Sequence, residues 1–571
     1  MSKSHTSVPG SRGMTGAVVA RMLAVVVTLA TMVGVFLVLG PLDMTRSGNT
    51  TGWELDPAEA GYYRLKKANK PPKLKRRPSN WFYEQRAYPH GEILQQQYVQ
   101  ALDEARTDRR NFKAAGITAV TWDPAGPTNI PGRITDIAVQ ETDLNTIYAA
   151  SAAGGIYKST DLGGSWTAIF DNVGTFGMGA VAIDQTDASI IYAGTGEGNG
   201  AIDNYEGTGI YKSADAGMTW THLGLDSTAA IGRIVVDSAN PSTIFVAAVG
   251  KVFGTPNSYR GLYRSLDGGA DWEQVLYVDD STGCSDVALH PSTGVLFAAM
   301  WQVHEGPGSA LYRSVDGGDT WTMIQGTGGL PAPGDIGRIG VTVDPQSSTV
   351  YTLQIDGSTR DLLGLYKSTD LGVNWTQVND SPIDGTFGGF GWYFGQVRVV
   401  PGEPDVVFSL GVSLWRSVDG GSSWENVTGA THVDHHAMFI PTSAPNRVYS
   451  GCDGGVNYSD NLGASWTVFR NMANTQFYAG TMDYNNPERL YGGTQDNGTL
   501  RTLTGSTGDW TMVFGGDGFQ SIVDYTNPDV FYCESQFGNL VKSVDGGATF
   551  IWAQNGIDPS GTEPHAWNTP V

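Results

Sequence analysis

One octapeptide pattern, Ser-x-Asp-x-Gly-x-x-Trp, recurs along the chain and restricts its fold more than any other feature. Six copies are complete: Ser159-Asp161-Gly163-Trp166, Ser213-Asp215-Gly217-Trp220, Ser265-Asp267-Gly269-Trp272, Ser314-Asp316-Gly318-Trp321, Ser368-Asp370-Gly372-Trp375 and Ser417-Asp419-Gly421-Trp424. A seventh carries Asn461 between Ser459 and Gly463-Trp466; the next unit keeps only Trp510, and the last pairs Ser543-Asp545-Gly547 with Phe550. Successive aromatic positions lie from 40 (Trp510 to Phe550) to 54 (Trp166 to Trp220) residues apart, the length of a four-stranded propeller blade. The pattern suits a hairpin turn, in which Asp accepts backbone N–H bonds, Gly supplies a positive φ and Trp staples the turn to its sheet. Asp161, Asp215, Asp267, Asp316, Asp370, Asp419 and Asp545 are therefore read as structural.

Within each unit an apolar strand such as Ile134–Val139 precedes a polar turn, a second strand through Ile147–Ala150, the strand before the box and the Trp strand. The expected fold is all-β: a propeller of about nine four-stranded blades, arranged as a seven-bladed ring plus part of a second, or as one ten-bladed ring. Blades one to seven are placed at 117–471 and further blades at 472–571, with the array truncated at its C-terminus. Thr118–Trp122 resembles a Trp strand without a blade of its own.

Composition agrees. Gly is abundant at 76 residues, and charged residues make up 16%, as suits short strands and tight turns. A net charge of -22 argues against a nucleic-acid partner, since phosphates would be repelled. Cys284, Cys452 and Cys533 are too few and too scattered for a disulfide framework or a C-x-x-C zinc site. At the N-terminus, Lys3, Arg12 and Arg21 precede an uncharged run from Met22 to Gly40, long enough to span a bilayer as a helix. Residues 1–43 are read as a signal anchor that leaves a single-pass protein on the cell membrane with the propeller on the extracytoplasmic side, or a secreted protein if the signal is cleaved. Residues 44–116 form a basic tether around Lys66–Arg77 and one short helix within Gly91–Arg110.

On the boxes and the blade period the chain resembles the Asp-box (BNR-repeat) superfamily, which includes sialidases, two-propeller xyloglucanases, photosystem assembly factors and the ten-bladed sortilin ectodomain. It is most similar to large secreted bacterial proteins described as sortilin-like or glycosyl-hydrolase-like, from about Arg77 to the end. Pro78–Phe82, Gly126–Asn129 and Gly493–Gly498 resemble their phrases. The resemblance implies the propeller and leaves the activity open.

The loops leading into the innermost strands and those joining the second strand to the third open on one face of a propeller. Three neighbouring units place unusual polar groups there: His432, Asp434, His435 and His436 with Asp453 in the seventh, Asp496 in the eighth and Asp517 in the ninth. Asp453, Asp496 and Asp517 are candidate catalytic carboxyls, because glycoside hydrolysis needs one acid to protonate the leaving oxygen and a second carboxylate beside it. The histidines and Asp434 are candidate ligand-binding groups, and imidazole with carboxylate also suits a metal. Asp-Gly and Asp-Asn-Gly are equally turn chemistry. Gly-Arg-Ile recurs at Arg133, Arg233 and Arg338; sialidases hold a carboxylate with an arginine triad, so these three join the ligand-binding candidates. Xyloglucanases carry a catalytic Asp just before Gly-Gly in the first blade, where this sequence has Ala152; Glu197, at the matching turn of the second blade, is a possible substitute.

The main reading is an extracytoplasmic recognition propeller for a protein, peptide or glycan, without cofactor. The alternative is a glycoside hydrolase acting on extracellular polysaccharide. Carboxylates about 5–10 Å apart across an open groove favour hydrolysis; carboxylates pointing into turns favour binding.

Overall fold

A computed structural model describes residues 81–114, 123–201, 203–252, 256–303, 308–556 and 566–569. The apolar run Met22–Gly40, the basic tether and Thr118–Trp122 lie outside them. Among the described residues no helix is long and apolar enough to cross a membrane.

Two helices come first, α1 (Trp81–Ala87) and α2 (Gln95–Ala114). The expected helix within Gly91–Arg110 starts and ends about four residues later, and α1 was not anticipated. Nine four-stranded antiparallel sheets follow, each built from four strands consecutive in sequence. The first is Ile134–Gln140, Asp143–Ser151, Gly155–Ser159 and Thr167–Ala168. The seventh is His435–Phe439, Val448–Cys452, Gly455–Ser459 and Thr467–Val468.

The box turns form as their chemistry demands. In the first blade Gly163 N–H and Ser165 N–H donate to Ser159 Oγ and Asp161 Oδ1, both at 2.8 Å. Asn461 serves equally well, accepting from Ser465 N–H at 2.9 Å. Donors from Thr219, Thr320, Asn374 and Ser423 draw Asp215, Asp316, Asp370 and Asp419 down to about 2. The tryptophans reach the blade before them: Trp220, Trp272, Trp424 and Trp466 donate Nε1–H to Ile169, Leu223, Asn379 and Val427 carbonyls.

Those contacts locate the ring closure. Trp166 of blade one packs edge-on against Phe469 of blade seven, and a Cβ on Gly163 (φ +79°) would stand 2.4 Å from the Phe469 ring. Ile134, Val139 and Ile147 share a core with Ala437, Tyr449 and Val456 of blade seven. The Tyr449 hydroxyl donates to Leu144 O at 2.6 Å, and Glu141 accepts N–H bonds from Thr442 and Ser443. Among the described residues each of these seven blades keeps its own four strands, and blade one meets blade seven by side-chain packing and cross-seam hydrogen bonds. The ten-bladed ring is not formed.

Blades eight and nine share a core of Tyr491, Phe514, Phe531, Cys533, Val541 and Phe550. Trp510 does not reach the blade before it and donates instead to Ala125 O at 2.9 Å. Thr128 N–H and Asn129 Nδ2 bond to Thr507 O and Trp510 O. The segment before blade one therefore occupies the flank of blade eight that another blade fills elsewhere.

Most innermost strands begin with a register shift. A bulge re-aims the residue it inserts, and Thr135, Arg338, His436 and Tyr478 are such unpaired residues. At Gly179, in the same place in blade two, a Cβ would stand 1.9 Å from Ile231 O, so two inner strands meet there backbone to backbone.

Candidate functional site

Two long connections roof the channel. The link between the second and third strands of blade two spans 196–209, whereas that of blade one spans only 152–154. The link from blade five to blade six spans 378–395. Glu197 and Asp203 hang from the first and Tyr393 from the second.

Below the roof lies a buried ion network. Arg133, 1% exposed, donates to Glu197 Oε2 at 3.0 Å, Asp203 Oδ1 at 3.2 Å and the Tyr393 hydroxyl at 2.7 Å. Tyr393 passes the chain on, donating to Asp453 Oδ2 at 3.2 Å. Gln476 donates to Asp203. Burial would lower the Arg133 guanidinium, but Glu197, Tyr393, Asp203 and Asp453 outweigh it and hold its pKa well above the ordinary value. Burial pushes Glu197 up to about 7, although Arg133 opposes it.

Asp453 is fully buried at the second turn of blade seven. His436 Nε2 lies 2.9 Å from Oδ1, and Gln495 Nε2 donates to Oδ2 at 2.9 Å. His436 is wedged against Tyr393 and stacked on Phe394. Burial, with Arg133 and Arg338 nearby, holds its pKa well below the usual value, so it is neutral. His435 is equally buried and spent on Ser450 Oγ and Thr431 Oγ1.

The rim is more open. Asp434 and Asp496 are half-buried, each held by backbone in the left-handed region at φ 68° and 52°. One oxygen from each of Asp434, Asp453 and Asp496 lies within 4.8 Å of the other two, the one carboxylate group among the described residues so arranged. Gln495 bridges Asp453 and Asp496 through Nε2. Burial and the neighbouring Asp453 raise Asp496 well above the carboxylate range. Asp517 is raised by burial and Asp496; it accepts Asp496 N–H at 2.6 Å and Gln536 Nε2 at 2.9 Å. His432 lies at the same rim, its Nδ1 3.0 Å from Val433 O.

The structure thus gathers Asp434, His436, Asp453, Asp496 and Asp517 at one mouth, but the sequence-predicted arginine triad does not face a ligand there. Arg133 holds the roof. Arg338 donates to Asn199 Oδ1 and Tyr393 O, and burial lowers it to about 10. Arg233 is deeper, bonded to Asp136, Asp286 and Gln396 in a charged plug across the channel. Each is consumed by internal partners: Arg133 and Arg233 by carboxylates of other blades, and Arg338 by the Asn199 amide and the Tyr393 carbonyl. Sequence reasoning missed Tyr393 and Asp203; the extra length of their two connections was the available signal. Ala152 is buried at 2% exposed, and beside its turn lies a cavity of about 400 Å³ lined in part by Tyr157, Phe176 and Asn474.

No family model matches the chain. Among curated proteins, a xyloglucanase from Paenibacillus sp is 28% identical over 343 residues, 53% of this chain and 32% of that protein. A xyloglucanase from Hypocrea jecorina (strain QM6a) is 24% identical over 356 residues, 52% of this chain and 40% of its own. The chain therefore spans about a third to two-fifths of the length of these relatives. Among solved structures, a xyloglucanase from Xanthomonas campestris aligns over 76% of this chain and 81% of that one, at 16% identity and a TM-score of 0.36.

Proposed function

We propose that this protein is a glycoside hydrolase acting on extracellular polysaccharide, working at the channel mouth where blades seven and eight meet. The observation that carries the reading is the convergence of Asp434, Asp453 and Asp496 on a half-open rim. Glycosidic bonds are cleaved by a carboxyl that protonates the leaving oxygen and a second that attacks or activates water. Asp434 and Asp496 are the members of the cluster that a sugar chain can reach. The curated relatives support the same reading, since both are xyloglucanases, and xyloglucan is the first substrate to try. The propeller would then work outside the cytoplasm, in keeping with the basic, then apolar, N-terminus.

A second reading, glycan recognition without turnover, is favoured by Ala152 at the position where xyloglucanases carry an Asp, and by the saturation of Asp453 and Asp517 with internal donors. The test is release of reducing ends from xyloglucan and other β-glucans. Hydrolysis by the wild type that falls at least 100-fold in Asp496→Asn supports the enzyme. Tight binding with no turnover on any of them refutes it in favour of recognition.

A further inference from the structure

At the end of blades eight and nine away from the mouth, two tyrosines stand in solvent at matching positions. Asp483-Tyr484-Asn485-Asn486-Pro487 joins the first two strands of blade eight, and Asp524-Tyr525-Thr526-Asn527-Pro528 those of blade nine. Tyr484 is 71% exposed and Tyr525 73%. Asn485 Nδ2 donates to Tyr525 O and ties the two turns together. Strand Asn486–Thr494 leads from this turn to Gln495 and Asp496, which puts the pair about 30 Å from the mouth.

The turn itself does not need an aromatic ring. Its determinant is Asp, which accepts the N–H two residues on, from Asn485 at 2.9 Å and from Thr526 at 2.7 Å. The same bond forms at Asp184, Asp237 and Asp344 of blades two, three and five, where Gln185, Ser238 and Pro345 stand in the tyrosine's place. A single exposed apolar residue is ordinary. Two aromatic rings at one position of adjacent, tied turns add nothing to the fold and point to a ligand.

We propose that Tyr484 and Tyr525 form a binding platform for a neutral polysaccharide chain, separate from the mouth. A pyranose ring with equatorial hydroxyls has an apolar C–H face that lies flat on an aromatic ring, and hydroxyls at its edge that need polar partners. The exposed Asn486 and Asn527 supply amides for them. Adjacent sheets pack about 10 Å apart, farther than one sugar is wide, so the pair suits a chain that reaches both rings. Two tyrosines bury at most about 500 Å², short of the roughly 800 Å² per partner of a stable protein interface. A net charge of -22 repels anionic polymers. None of these arguments uses hydrolysis. Where the mouth does hydrolyse, the platform holds the polymer at high local concentration between cleavages.

The test is affinity electrophoresis of the full chain through gels carrying xyloglucan or hydroxyethylcellulose, in an Asp434→Asn background that weakens binding at the mouth. Retardation is expected. Tyr484→Ala and Tyr525→Ala should each weaken it about fivefold, and the double substitution should remove it. Tyr484→Phe, which keeps the ring, should preserve it. Tyr88→Ala, at a residue 83% exposed just after α1, should change nothing. Unaltered thermal unfolding shows that the variants fold. No retardation in either gel, or retardation indifferent to the double substitution, overturns the proposal. A sedimentation coefficient that falls in the double variant without retardation assigns the pair to protein contact and overturns it equally. Retardation through the tyrosines of a protein that releases no reducing ends would refute the hydrolase reading and leave the platform standing.

Discussion

At the scale of single residues the molecule depends on buried charge held by other charge. Arg133 is the hub, and replacing it with Ala leaves Glu197 and Asp203 buried without their counter-ion. Removing one partner of a buried pair costs about 3–5 kcal/mol, so Arg133→Ala should lower unfolding free energy by that amount in urea titration, with Arg133→Lys recovering part. Glu534, buried in blade nine and accepting Thr569 N–H, offers a cleaner titration. Burial raises it from 4.5 to about 7, so the folded state binds this proton more tightly than the unfolded chain. Its stabilisation is complete below about pH 4.5 and is lost as pH rises toward 7. Urea midpoints should fall between pH 5 and pH 8, and Glu534→Gln should remove ~2 kcal/mol of that dependence; Glu197 contributes with the same sign. The carboxyls at the mouth were legible in the sequence because Asp453 and Asp496 occupy the same turn of successive blades and Asp517 stands at the entry to the next innermost strand. Tyr393 was not, since it belongs to a connection that no other unit repeats. The arginines misled for the converse reason: recurrence made them look like a triad, and the acceptors that consume them are distant in sequence.

Elements matter chiefly through the two roofs. The connection 196–209 is pinned from above by α1: Arg86 Nη2 donates to Asn204 O at 2.5 Å and its guanidinium stacks on Phe82 and Tyr205. Lys251 Nζ ties the turn between the helices through Ile93 O at 2.8 Å. Arg86→Ala should therefore speed amide hydrogen exchange across 198–207 while leaving the inner strands of blades four to six unchanged. Equal protection in both proteins would show that α1 does not restrain the roof. None of this was readable beforehand, because α1 is a seven-residue helix whose stability comes from the loop it covers. Strands and box turns were readable because their determinants are local: Asn461 replaces Asp without altering the turn.

For the whole molecule, the blade count left a seven-bladed and a ten-bladed ring open, and long-range packing decides between them. Blade one meets blade seven through Trp166 and Phe469, residues no pattern links across some 300 positions. Phe469→Ala opens a cavity at that seam and should cost about 3 kcal/mol, with faster exchange in blades one and seven together; loss confined to blade seven would mean that the seam does not couple them. Contact of blade one with blade seven leaves blades eight and nine to one side, and the mouth forms there because Asp453 comes from blade seven, Asp496 from blade eight and Asp517 from blade nine.

Placement of the working site at that mouth is most directly tested by hydrogen exchange of the intact chain with and without xyloglucan oligosaccharides. The account predicts slowed exchange at 432–436 and 495–518 that disappears in Asp434→Asn. Protection confined to the Ala152 turn, or to another face of the ring, would contradict it.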